Sequence, residues 1–138
     1  MRNGHTLCEL LAVLGILSAL TAVAAPPAVR SRNRATVRAA ATAVRATLSA
    51  ARDHALSHAT AALVVINPAL ATITVVANHD TVLRHSLAAD ARVTLSATRD
   101  SIRFGPTGRA FGASNTTVVI RSGTVAETVT VSRLGRVR

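Results

Sequence analysis

Gly4-His5-Thr6-Leu7-Cys8-Glu9 leads into Leu10 to Val29, twenty residues without a charge. As a helix, at about 1.5 Å per residue, such a run spans roughly 30 Å, the thickness of a bilayer's hydrocarbon core. Residues 1–4 read as a short polar leader, residues 5–29 as a membrane-spanning helix, and residues 30–138 as a separate globular part. Glu9 stands at the edge of the apolar segment, where a lone carboxylate is unfavourable in lipid. It is therefore expected to have a use.

The residues Gly4-His5-Thr6-Leu7-Cys8-Glu9-Leu10-Leu11 resemble the class III signal of type IV pilins and type II secretion pseudopilins. The resemblance implies that a prepilin peptidase cuts between Gly4 and His5, that the helix stays with the mature protein, and that His5 is N-methylated. It also implies that Glu9 pairs with the amino group at His5 of a neighbouring subunit during filament assembly. Inside a bundle of apolar helices an ammonium partner relieves the burial of a carboxylate. Two positions depart from the family pattern: His5 stands where Phe is usual, and Cys8 where a branched aliphatic is usual. The alternative is a plain signal anchor with an incidental Glu. Cys8 is the only cysteine, which excludes an intramolecular disulfide and leaves it as a packing residue.

After Val29 there remain 109 residues, enough for one domain. All 16 basic residues of the chain are arginines, and it has no Lys, Trp or Tyr. Past the membrane run, fifteen arginines stand against Asp53, Asp80, Asp90, Asp100 and Glu127, an excess of ten positive charges. Such a domain is expected to attract polyanions, nucleic acid or acidic lipid. A GC-rich genome accounts for the missing lysines but not for the scarcity of acids. Arg30, Arg32, Arg34 and Arg38 follow the membrane run while only Arg2 precedes it, which on the positive-inside rule places the C-terminal part in the cytoplasm. The pilin resemblance implies the reverse, a single pass through a bacterial inner membrane with the C-terminal domain in the periplasm. We follow the resemblance, because long domains translocate largely regardless of charge.

Pro26 and Pro27 close the apolar run and predict a kink. Beyond them Val37, Ala41, Val44, Leu48, Ala51, Ala55 and Ala62 recur at steps of three, four and seven, an apolar stripe on a helix that carries Arg38, Arg45 and Arg52 on another side. The helix is predicted from Thr6 to Ala59, its second half, residues 30–60, lying against a sheet. Residues 61–138 change to short β-branched runs divided by turn residues: Leu63 to Ile66, Thr72 to Ala77, Thr81 to Leu87, Arg92 to Ala97, Ser101 to Phe104, Thr117 to Arg121 and Thr128 to Ser132. The expected fold is α+β, a long helix packed on an antiparallel sheet of about seven strands.

Ala51-Arg52-Asp53-His54-Ala55, Ile102-Arg103-Phe104-Gly105-Pro106-Thr107-Gly108 and Val129-Thr130-Val131-Ser132-Arg133-Leu134-Gly135-Arg136-Val137-Arg138 resemble the GspH/FimT pseudopilin family. Gly105 to Gly108 reads as a turn and not a phosphate loop, since no Gly-Lys-Ser/Thr follows. In the FimT branch a Gly-Arg-x-Arg tail is associated with binding DNA for uptake during natural transformation, and Gly135-Arg136-Val137-Arg138 matches it. Two arginines one residue apart on an extended segment project to one side, and guanidinium groups fit phosphate oxygens. Gly135 would let the backbone turn, and Arg133 and Arg121 would extend the patch. The competing readings are a solubilising charged end and, by the same resemblance, a structural tip subunit of the H type in the type II secretion pseudopilus.

His54 and His58 stand at a metal-compatible spacing, but no third ligand is near in sequence, and no metal or other cofactor is expected. No Gly-x-Ser-x-Gly occurs and the acids are scattered singly, so no enzymatic reading has residues behind it. Phe104 and Phe111 are the only aromatics and both are expected to pack, which leaves no platform for stacking bases. The expected partners are a prepilin peptidase, other pilins or pseudopilins, the inner membrane, and DNA held through its phosphates with little sequence preference.

Overall fold

The computed structural model describes residues 6–87, 92–111 and 115–138, with the backbone alone for residues 23–26. The chain divides into two compact units, Met1–Arg32 and Asn33–Arg138.

One helix, α1, runs over Leu7–Ser57. Thr6 caps it: the Glu9 amide donates to the Thr6 carbonyl at 3.0 Å and to Thr6 Oγ1 at 3.3 Å. Thr6 and Glu9 thus occupy the first and last places of the Thr-x-x-Glu pattern that starts helices, and a carboxylate suits the positive end of the helix dipole. In the first unit Leu10, Leu11, Leu14, Ile16, Leu17 and Leu20 are all exposed, as a lipid-facing segment requires. Ser18 Oγ and Thr21 Oγ1 donate to the carbonyls of Gly15 and Ser18 at 2.8 Å each, so these hydroxyls are satisfied within the helix. Cys8, expected to pack, is exposed like its neighbours. α1 continues through Pro26 and Pro27.

In the second unit α1 buries Val37, Ala40, Ala41, Val44, Leu48, Ala51 and Ala55, the expected stripe with Ala40 added. Ala62, read as its last member, instead opens the first strand and faces the same core. The helix stops at Ser57, and Ala59 takes a left-handed φ of 51° that turns the chain toward the strands.

Among the described residues eight strands follow: β1 Ala62–Asn67, β2 Thr72–Ala77, β3 Asp80–Ser86, β4 Thr94–Ala97, β5 Ser101–Phe104, β6 Ala110–Phe111, β7 Thr116–Ser122 and β8 Val125–Val131. They form two antiparallel sheets and not one. The first has the order β3-β2-β1-β5-β6, the second β4-β7-β8. The strand missed in the sequence is β6, whose two residues are too few to show an alternation. Alternation elsewhere sends one face of each sheet inward: Val64, Ile66, Ile73, Val75, Ile102 and Phe104 from the first, Val118, Ile120, Val129 and Val131 from the second, into one cluster with the helix stripe. Arg45 Nη2 reaches Glu127 Oε1 at 2.9 Å and ties α1 to β8 across 82 residues of sequence.

Phe111 departs from expectation. Phe104 is fully buried, but Phe111 is 56% exposed. Phe111 pairs with Arg103, whose side faces away from the core, so the ring lies on the outer face of the first sheet.

Candidate nucleic-acid interface

The C-terminal segment does not trail past the last strand. After β8 the chain turns at Ser132 to Gly135, the Gly135 amide donating to the Ser132 carbonyl at 2.9 Å. It then returns along β8: the Ser132 amide donates to the Arg136 carbonyl, Val137 bridges Val131, and Thr130 and Arg138 exchange two backbone hydrogen bonds of 2.9 Å. The extended segment is thus a short return strand on the outer edge of β8. Gly135 makes this possible twice over. Its φ of 74° is one that side chains disfavour, and a Cβ there would collide with the Gly108 carbonyl.

Pairing fixes the side chains. Val137 turns inward and packs on the core, and its neighbours Arg136 and Arg138 both turn outward and are exposed. The expected projection to one side holds. Arg136 and Arg138 form a ridge between two clefts. One, of about 410 Å³, is completed by Ser49, Arg52 and Asp53 of α1; the other, of about 300 Å³, by Asn115, Thr130, Ser132 and Leu134.

Arg52 is the residue that sequence reasoning missed. Its Nε donates to the Gly108 carbonyl at 3.1 Å, which holds the guanidinium beside Gly135. Three segments far apart in sequence, the Ala51 to Ala55 stretch, the Gly105 to Gly108 turn and the Gly135 to Arg138 tail, therefore meet at one place. Their joint appearance among the family-like motifs was the available signal. The side chains lining the cleft include Arg52, Arg136 and Arg138 against one acidic side chain, Asp53, an excess of guanidinium groups suited to phosphate.

Arg133 is exposed in the turn, and its carbonyl accepts the Ala110 amide at 3.3 Å, so β6 adjoins the ridge. Arg121 is elsewhere. Thr116 faces Val131 but Arg121 faces Ala126, and five strand residues at about 3.3 Å each set Arg121 roughly 17 Å from the tail-bearing end. Gly4 and His5 lie outside the described residues. His54 and His58 stack with ring centroids 4.1 Å apart, and among the described residues no group of three His, Cys, Asp or Glu side chains could hold a metal ion.

Residues 40–135 match the family described as Type II transport protein GspH. The chain belongs to the GspH family. The fold also matches the type IV minor pilin FimU of Pseudomonas aeruginosa in two crystal forms. The first has TM-score 0.66 and 18% identity, covering 76% of this chain and 88% of that one; the second has TM-score 0.61 and 16% identity, covering 73% and 90%. The minor pseudopilin EpsH of the Vibrio cholerae type II secretion system is similar at TM-score 0.60 and 12% identity, covering 74% of this chain and 94% of that one. No curated protein matches the chain significantly in sequence. This GspH-family chain has the type IV pilin-like fold and is a minor pilin or pseudopilin, a membrane-anchored subunit of a type IV filament system that associates with other such subunits.

Proposed function

We propose that this subunit binds duplex DNA through phosphates at the ridge of Arg136 and Arg138, with Arg52 and Arg133 beside it, and serves DNA uptake in natural transformation. The observation that supports this reading most is the paired tail: it holds two exposed guanidinium groups in fixed register beside a third on the helix. Preorganised cations lose less freedom on binding than a flexible basic tail. Contacts to phosphates alone carry no sequence information, so duplexes of unrelated sequence are expected to bind equally, with log K falling linearly in log salt. Titrating the full chain in non-ionic detergent micelles with two such duplexes at several salt concentrations tests this. Binding that ignores salt sinks it.

The second reading, a tip subunit of the type II secretion pseudopilus, is favoured by the family description and by the likeness to EpsH. There the arginine ridge would face another protein, and duplex binding would track total charge and not these residues.

Both readings share one biogenesis: residues 1–4 are a leader removed by a prepilin peptidase, residues 5–29 form the membrane and assembly helix, and residues 30–138 lie in the periplasm. Gly4 supplies a scissile position without a side chain, so Gly4→Val is expected to leave an uncut precursor, visible as a higher mass in the membrane fraction. Glu9→Ala is expected to be cut normally and yet be missing from sheared filaments, because the carboxylate is proposed to pair with the His5 amino group of a neighbour. A wild-type protein that still begins at Met1 beside an active prepilin peptidase would remove the processing step. Glu9→Ala found in filaments at the wild-type level would remove the pairing.

A further inference from the structure

We propose that Phe111, flanked by Arg103, is a stacking platform for one unpaired nucleobase, so that the protein holds single-stranded DNA by its bases as well as by its phosphates. This rests on the DNA-binding reading and extends it to a second ligand form. Phe111 is the exposed one of the chain's two phenylalanines, and the chain has no Trp or Tyr. It is also positioned. A Cβ at Gly105 would collide with the Phe111 ring, so the glycine makes room for one side of the ring against the backbone while the remainder faces solvent. Register places Phe111 directly opposite Arg103, and beyond Arg103 come Leu63 and Val76 on the same outer face. Arg109 leaves the turn two residues before Phe111, and its carbonyl accepts the Gly105 amide at 2.9 Å. Among the described residues neither Arg103 nor Arg109 is held in an ion pair.

Every base has a π-face, so a fixed ring with a cation beside it takes a base of any identity while the cation meets the neighbouring phosphate. The strand that carries Phe111 also adjoins the turn before the ridge. The Ala110 amide is bonded to the Arg133 carbonyl, which sets Phe111 one residue from the turn that leads to Arg136 and Arg138. A second copy of the chain is a poorer occupant of this face, since two copies related by a two-fold axis would bring the exposed arginines of the same face together.

The test uses the full chain in non-ionic detergent micelles with three probes: a short duplex, an oligothymidylate, and a strand of the same length and charge made of abasic residues. Wild-type protein is expected to bind the oligothymidylate roughly tenfold more tightly than the abasic strand. Phe111→Ala should abolish that preference while leaving the duplex and the abasic strand bound as before; the residue is exposed, so the fold is kept. Since the chain has no tryptophan, Phe111→Trp adds a fluorophore at this one place, and its emission should be quenched by the oligothymidylate and not by the abasic strand. Equal affinity of the wild type for both strands, or unquenched tryptophan, overturns the platform; if duplex is still bound, the arginine ridge stands without it. Loss of binding to all three probes takes down both. If Phe111→Ala binds every probe normally but drops out of sheared filaments, this face packs another subunit and the platform is overturned.

Discussion

Replacing Arg136 and Arg138 together by glutamine is expected to weaken duplex binding roughly sixtyfold at about 0.1 M salt and to make the log–log salt slope shallower by about two units. Each phosphate contact contributes a slope of about −0.9 through counterion release, a term that vanishes near 1 M; two contacts at about 0.1 M then amount to roughly 1.8 decades. Glutamine keeps length and polarity. The tail itself is held by backbone hydrogen bonds to β8 and by inward-facing Val137, neither of which the substitutions touch. The structure also chooses the control. Arg45 is engaged with Glu127, and Arg52 lines the ridge's own cleft, so neither reports diffuse charge. Arg84 on β3, at the far edge of its sheet from β6, and Arg121, at the far end of β7, do so. Arg84→Gln with Arg121→Gln removes the same charge and is expected to leave most of the affinity. Equal losses in the two double variants would show that the ridge has no special part.

Phe104→Ala is expected to destabilise the second unit by about 3–5 kcal/mol and lower its melting temperature by on the order of 20 °C. Phe104 is fully buried and is the largest such side chain in a core whose helix contribution is mostly alanine and valine. Small side chains on α1 let the strands approach closely, but they cannot swell to fill the cavity that a missing ring leaves. Phe111→Ala, the same chemical change on the outer face, is expected to shift stability by less than about 0.5 kcal/mol. Thermal melts of both variants, followed by circular dichroism in micelles, check the pair. A loss below about 1 kcal/mol for Phe104→Ala would contradict the buried placement.

The two phenylalanines show where sequence reading stops. Phe104 was legible, because Ile102 and Phe104 alternate with Ser101 and Arg103 and alternation assigns a face. Phe111 was not, since its orientation follows from pairing with Arg103 through a strand of two residues. The arginines divide in the same way. That Arg136 and Arg138 share a side could be read from their spacing, whereas the inclusion of Arg52 and the exclusion of Arg121 could not. Charge patterning along a chain does not say which charges become neighbours.

By itself the sequence determined the apolar membrane helix, the stripe that continues it, the α+β class and most strand positions. Those features are written in local periodicity and composition, which depend on residues a few places apart. Tertiary structure alone decided the division into two sheets, the return of the tail along β8, the meeting of Arg52 with Arg136 and Arg138, and the exposure of Phe111. The two sheets and the meeting of the arginines rest on contacts between residues tens of positions apart, such as Thr94 with Arg121 and Arg52 with Gly108, while the tail's return and the exposure of Phe111 rest on pairings up to eight residues apart, Thr130 with Arg138 and Arg103 with Phe111. Their register is set by how the helix stripe and two inward faces fill one core together, a constraint that no stretch of the chain carries alone.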